Sequence, residues 1–260
     1  MLDLIQNNRH SQNGGIMMFE HIDIRQMNRL MKKNRDARKI IAQLLENHRT
    51  EVSMIAHEIR NPLTLVSSSL QVMEAQHPEV QDFFNWEQTK EDVQFMCRLL
   101  DDLSSFNNSR TLHYSVFPAG KLIRNIAVSF AMSLEAAGSE TEFTSRVMPD
   151  MGDFTGDKVK LEQLVLNLLQ NARDAVAGAG TIFLSAARDR DSLVITCRDT
   201  GCGIPADRID TIFEPFVTYK ENGTGLGLSA VRQIAEAHGG TVSVTSVPGK
   251  ETVFTVCLPA

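Results

Sequence analysis

Between Val52 and Met73 the apolar residues Val52, Ile55, Ile59, Leu63, Val66, Leu70 and Met73 recur at helical spacing, while Ser53, His57, Asn61, Thr64 and Ser68 fall on the opposite side. The pattern predicts an amphipathic helix with a histidine on its polar face. Pro62 removes the helical bond to the carbonyl of Glu58 and is expected to bend the helix beside that histidine. Upstream, Met27, Leu30, Ala37, Ile41, Leu44 and His48 alternate at three and four residues, a weak heptad seam that Asn34 interrupts. The pattern breaks at His77-Pro78. A second helix follows, in which Trp86, Val93 and Leu100 keep heptad spacing and Met96 and Leu103 fill the alternate positions. Two such helices joined by a short loop form a hairpin that buries one face of each. Pairing of two hairpins into a four-helix bundle, hence a homodimer, is the expected completion, and docking of the hairpin onto the rest of the chain is the alternative.

After Asn107-Asn108-Ser109-Arg110 helical and strand patterns alternate. Strands are predicted at 181–185, 192–197, 241–244 and 252–256, and helices near 120–135, 157–176 and 226–238. Gly239-Gly240 suits the left-handed turn at a helix end, and Val247-Pro248-Gly249-Lys250 reads as a hairpin turn. The expected fold class is α+β: a polar segment at 1–22, a helical hairpin at 23–110, and at 111–260 an α/β sandwich with helices on one face of a mixed sheet.

Charge and composition narrow the functions. A net charge of −6 gives no electrostatic case for nucleic acid or an anionic membrane as partner. No apolar run is long enough to span a bilayer, and the first residues lack the apolar core of a secretory signal. Cys97, Cys197, Cys202 and Cys257 form no C-x-x-C pair and no histidine-rich cluster, so reduced, mostly buried thiols in a cytoplasmic protein are expected.

Four groups carry candidate chemistry. An exposed imidazole is near neutral at physiological pH and can act as a nucleophile, and the carboxylate of Glu58 beside His57 can accept the proton the ring sheds. Gln163, Asn167, Asn171 and Asp174 line one side of a helix whose other side is apolar, and such a stripe suits magnesium between phosphates, an ion that takes few protein oxygens. In Asp199-Thr200-Gly201-Cys202-Gly203, a carboxylate at a strand end can accept from an exocyclic amine, while the glycines admit a flat base. Gly223-Thr224-Gly225-Leu226-Gly227-Leu228 runs straight into a helix, where free amides attract phosphate. It fits neither the P-loop nor the dinucleotide fingerprint. Between these last two motifs, Phe213 and Phe216 could pin the base of a loop on which Lys220 reaches toward the terminal phosphates.

The order of these motifs, from the His57 box through Asn167/Asn171, Asp199, Phe213/Phe216 and the glycine loop, strongly resembles the sensor histidine kinases of two-component signalling, over roughly residues 50–260. The segment from Phe216 to Gly223 resembles the short nucleotide lid of nitrogen-regulation and sporulation-type kinases, with Tyr219 where relatives often carry threonine. The resemblance implies a dimerisation and phosphotransfer hairpin followed by an ATP-binding domain of the GHKL superfamily. It implies ATP and Mg2+ as cofactors and a response-regulator receiver domain as partner. By the same resemblance, His57 accepts the γ-phosphoryl group and Glu58 takes the proton. Asn171 is the magnesium ligand, Asn167 a supporting amide and Asp199 the adenine reader. Gly201, Gly203, Phe213, Lys220 and Gly223 to Gly227 shape the nucleotide site, and Asn61 orients water for dephosphorylation of the partner. No sensor domain is recognisable ahead of the hairpin, so the signal is expected to enter through the upstream helix, a partner or a separate domain.

Three rival readings remain at this point. A GHKL ATPase that drives a clamp carries a glutamate as general base where this chain has Asn167, and an amide cannot serve in that role. An anti-sigma-type serine/threonine kinase lacks the His57 box. A phosphotransfer scaffold with a decayed nucleotide site would not be expected to retain Asn171, Asp199 and the glycine loop.

Overall fold

The computed structural model describes residues 34–109, 111–220 and 223–259. The chain divides into two compact units, Met1–Val52 and Ser53–Ala260. The segment 1–22 and the seam positions Met27 and Leu30 lie outside the described residues.

Helix α1 spans Arg35–Gln76. Asn34, the residue that interrupts the heptad seam, opens it: Oδ1 accepts the backbone N–H groups of Asp36 (2.9 Å) and Ala37 (3.1 Å). The helix runs unbroken through Pro62. A 3-10 turn at Pro78–Asp82 and a left-handed Asn85 (φ 66°) lead into α2, Trp86–Asn107. Lys90 Nζ bridges Glu74 (2.8 Å) and Glu87 (3.1 Å), joining the end of α1 to the start of α2.

The face that α1 turns inward is rotated from the one the apolar stripe predicts. Ser53 and Ala56 are buried and Arg60 and Leu63 half-buried, whereas Ile55, Ile59, Val66 and Met73 are each about half exposed. Small residues at 53 and 56 let the two helices of one hairpin approach, which leaves the larger apolar side chains on an outer face.

The second half is built on two sheets. Strands β1 (Ser115–Pro118) and β3 (Asp153–Gly156) form an antiparallel ribbon. The main sheet has the order β2-β4-β5-β7-β6, from β2 (Glu140–Val147), β4 (Ala179–Asp189), β5 (Ser192–Asp199), β6 (Thr241–Val247) and β7 (Glu251–Pro259). It is mixed, because β2 pairs parallel to β4 while the other neighbours are antiparallel.

Helices α3 (Ala119–Ala136), α4 (Lys158–Val176) and α5 (Gly227–Ala237) contribute to one core with this sheet. Strand alternation sends Ile182, Leu184, Leu193, Ile195, Phe254 and Val256 into that core, against Leu161, Leu164, Val165, Leu168 and Leu169 of α4. The three helices and strands β4 to β7 lie where the sequence predicts them. Strands β1, β2 and β3 are additional.

The start of α4 is fixed by Asp157. Its carboxylate accepts from the backbone of Lys160 (3.0 Å) and His113 (2.7 Å), and its own N–H donates to Nε2 of buried His238 (3.0 Å). His238 Nδ1 in turn donates to the carbonyl of Ile234 (2.8 Å), so one neutral histidine joins the end of α5 to the start of α4. Among the described residues no helix is long and apolar enough to cross a membrane.

Candidate functional site

Asp199 continues the inward-facing series Leu193, Ile195 and Cys197, so the strand that builds the core delivers a carboxylate to the core's edge. Its side chain is buried, and the N–H of Gly201 donates to Oδ1 at 3.0 Å. Burial raises its pKa, partly offset by that bond and by the charge of Lys220. Gly201 is needed for close approach, since a Cβ there would overlap the backbone carbonyl of Ala175. Cys202 N–H donates to that same carbonyl at 3.1 Å. The strand end is thereby clamped to the last turn of α4, and Gly203 rests on the turn between β6 and β7. Cys197 is buried and its thiol is pushed up to about 12 by burial and by Asp199, whereas Cys202 is exposed, unlike the mostly buried thiols expected.

On α4, Asn171 and Asp174 lie one turn apart and share a cation. Lys220 Nζ donates to Asn171 Oδ1 at 2.9 Å and to Asp174 Oδ2 at 3.0 Å. Asn167 Nδ2 donates to the carbonyl of Gly227 at 3.2 Å, tying α4 to the first residue of α5. Gln163, the fourth member of the stripe, instead reaches Ser105 of α2.

The segment that carries Lys220 is also pinned at its base. Phe216 N–H donates to Gly225 O at 3.0 Å, and Gly225 has φ +69° with Phe216 packed where a Cβ would stand. Phe213 meets Phe254 edge-on at 6.2 Å, and Tyr219 hydrogen-bonds Thr211 (3.0 Å) beneath the guanidinium of Arg208. Gly223 packs against Thr218, whereas Glu221 and Asn222 lie outside the described residues. Leu226 is buried, and a Cβ on Gly227 would meet nothing within 4 Å, so the start of α5 is open.

The hairpin meets this region along the last turns of α2. Thr224 of the glycine loop donates to Asp102 Oδ2 at 2.5 Å, and Ser109 donates to Gln233 of α5 at 2.5 Å. Burial, countered by the Thr224 hydroxyl, raises the pKa of Asp102. Docking onto the second half, the alternative to bundle formation, is thus present at one end of the hairpin, while the outer apolar face of α1 stays uncovered.

His57 is exposed, as its polar-face position predicts. Its Nε2 lies 3.3 Å from Ser104 Oγ, two residues beyond Asp102, and its Nδ1 lies 2.7 Å from Arg60 Nη1. Arg60 Nε pairs with Asp101 Oδ1 at 2.6 Å. Glu58 and Asn61 are exposed, and neither is hydrogen-bonded to the His57 ring. Sequence reasoning missed Arg60, Asp101, Asp102 and Ser104. Arg60 was within reach of it, one turn from His57, but the three α2 residues meet the site only through tertiary packing.

Residues 156–260 match the family model described as histidine kinase-, DNA gyrase B- and HSP90-like ATPase. Sporulation kinase C of Bacillus subtilis is 29% identical over 79% of this chain and 47% of its own length. Sensory histidine kinase/phosphatase NtrB of Rhodobacter capsulatus is 32% identical over 79% of this chain and 60% of its own. Among solved structures, full-length ShkA in complex with AMPPNP superposes with a TM-score of 0.64 at 25% identity, covering 81% of this chain and 45% of that one. The residues that the family model matches include Asn167, Asn171, Asp199 and the glycine loop 223–227. The chain spans about half the length of the curated relatives it matches.

Proposed function

We propose that the chain is an ATP-dependent protein histidine kinase that phosphorylates itself on His57 and passes the phosphoryl group to an aspartate of a response-regulator receiver domain. One observation carries the reading: a single stretch of α2 holds both the His57 ring, through Ser104, and the glycine loop, through Asp102. An exposed imidazole and the start of an open helix therefore share one short support.

In this reading Asp199 accepts from the exocyclic amine of adenine. Gly201, Gly203 and Phe213 shape the base pocket, and Gly223 to Gly227 offer backbone N–H groups to phosphate. Asn171, with Asp174 beside it, would hold Mg2+. The fit is good because the Lys220 ammonium already stands against these two oxygens as a cation, and magnesium leaves its other positions to water and phosphate. Among the described residues no group of three or more His, Cys, Asp or Glu side chains could hold a metal, which agrees with a site completed by the nucleotide. The ion would neutralise phosphate charge. Released from Asn171 and Asp174, Lys220 would turn to the terminal phosphates, while Asn167 supports the start of α5. Glu58 would receive the ring proton. The protein's part is positioning and charge neutralisation, as in other phosphoryl transfers.

The uncovered face of Ile55, Ile59, Val66 and Met73 favours a homodimer built through the hairpin. We assign Asn61 to dephosphorylation of the partner regulator, and a cytoplasmic setting fits the absence of a spanning helix among the described residues. Incubation with Mg-ATP tests the assignment. A label stable in alkali and lost in acid, as a phosphoramidate would be, is expected. An acid-stable label, or none, overturns it.

A further inference from the structure

The groups around His57 define a protonation pattern that the phosphotransfer reading does not use. A guanidinium has donors only, so Arg60 Nη1 at 2.7 Å from Nδ1 requires that nitrogen to present its lone pair. In a neutral imidazole the proton then sits on Nε2, from which it is donated to Ser104 Oγ at 3.3 Å. Neither ring nitrogen has a free lone pair in this arrangement. Arg60 is itself held from the second helix by an ion pair, its Nε 2.6 Å from Asp101 Oδ1. The Arg60 side chain is 22% exposed and that of Asp101 63%, so only the arginine end of the pair is shielded from water. Glu58, the proton acceptor in the proposed reaction, is exposed and makes no hydrogen bond to the ring.

We infer that Arg60, held by Asp101, is a positioning residue that locks His57 in the tautomer unable to attack phosphorus, so that the structure is a resting state of the phosphoacceptor. The inference rests on His57 being the phosphoacceptor. Transfer requires the opposite tautomer. Nε2 must lose its proton to solvent and Nδ1 must gain one from solvent, which Arg60 prevents while it occupies Nδ1. Once the guanidinium leaves, the Nε2 lone pair forms the bond to the γ-phosphorus, and the bond from that phosphorus to the bridging oxygen breaks with ADP as leaving group. The Nδ1 proton passes to Glu58. Arg60 therefore slows the first transfer while leaving nucleotide affinity alone, because it touches no part of the nucleotide site.

Two measurements on the full chain test this. In protein labelled with 15N-histidine, the ring nitrogens of His57 should report one neutral tautomer with the proton on Nε2. Arg60→Met and Asp101→Asn should each abolish that single-tautomer signature. Both should also raise the initial autophosphorylation rate at saturating ATP by about tenfold, the scale of one hydrogen bond to a charged group, with KM for ATP unchanged. A proton on Nδ1 in the wild-type chain overturns the lock. So do two folded variants, verified by circular dichroism, whose rates equal or fall below that of wild type. A wild-type chain that carries no acid-labile label would instead sink the phosphoacceptor reading. The tautomer measurement still decides the lock in that case.

Discussion

A carboxyl group buried at a strand end weakens a fold unless a donor meets it. Asp199 has one backbone donor and, among the described residues, no side-chain donor on its second oxygen. Asp199→Asn is therefore expected to weaken ATP binding by about 1.5–3 kcal/mol, or roughly 10- to 150-fold, by titration calorimetry. Unchanged affinity would remove the adenine assignment. The same substitution carries a stability signature of known sign. Because burial raises the folded pKa of Asp199 above the ordinary 3.8, the folded chain keeps a proton that the unfolded chain has lost. The associated stability is full below pH 3.8 and declines as pH rises through the raised value, a decline that Asp199→Asn should abolish in urea titrations. Asn61 makes a different kind of case. It stands one turn from His57 on the same face, and its carbonyl can align a water without abstracting a proton. Asn61→Ala should leave autophosphorylation within a few-fold while slowing dephosphorylation of a phosphorylated cognate regulator about tenfold, near 1.4 kcal/mol in the barrier. Equal decay of the regulator with either protein would leave Asn61 a surface residue.

Helices and strands differ in how far they could be read from the sequence. Helices α3, α4 and α5 and strands β4, β5 and β7 announce themselves because each has a buried stripe, and β6 because its half-buried positions alternate strictly with exposed ones. Strand β2 does not: only Thr141 is fully buried along Glu140–Val147, and an edge strand facing water on most positions carries little alternation. The ribbon strands β1 and β3 are four residues each, too short for any period. The rotated face of α1 was hidden for another reason: apolarity marks whichever face is most hydrophobic, and here that face is the outer one, while Ser53 and Ala56 point inward. The candidate nucleotide site stands out in the sequence because its glycines, amides and carboxylate fall in three short motifs. Of the ring partners of His57, Ser104 does not, because α2 brings it there only through tertiary packing. The helix cap at Asp157 yields a prediction of opposite sign to that for Asp199. Burial raises its pKa, but backbone bonds from His113, Lys160 and Val159 outweigh it, and the net value is lowered. Its stabilisation is present above pH 3.8 and is lost as pH falls through the lowered folded value. Asp157→Ala should cost about 0.5–2 kcal/mol near neutral pH, the worth of a helix cap, by urea unfolding.

In the proposed reading the helical hairpin is the phosphotransfer element and the residues after it hold the nucleotide, and among the described residues α1 carries an uncovered apolar face. Light scattering on the full chain should return twice the monomer mass, and Ile59→Glu with Val66→Glu should return the monomer mass, since charges on that face oppose its burial. A wild-type monomer would leave the exposed stripe unexplained. The central claim, however, is chemical: nucleotide bound in the second half phosphorylates one imidazole in the first. Its most direct measurement is site mapping by mass spectrometry, kept at alkaline pH, after incubation of the full chain with Mg-ATP. The account predicts one phosphoryl group on the peptide that contains His57, and none on that peptide in His57→Gln. A phosphoryl group on serine or threonine, or labelling of His57→Gln equal to that of wild type, would contradict it.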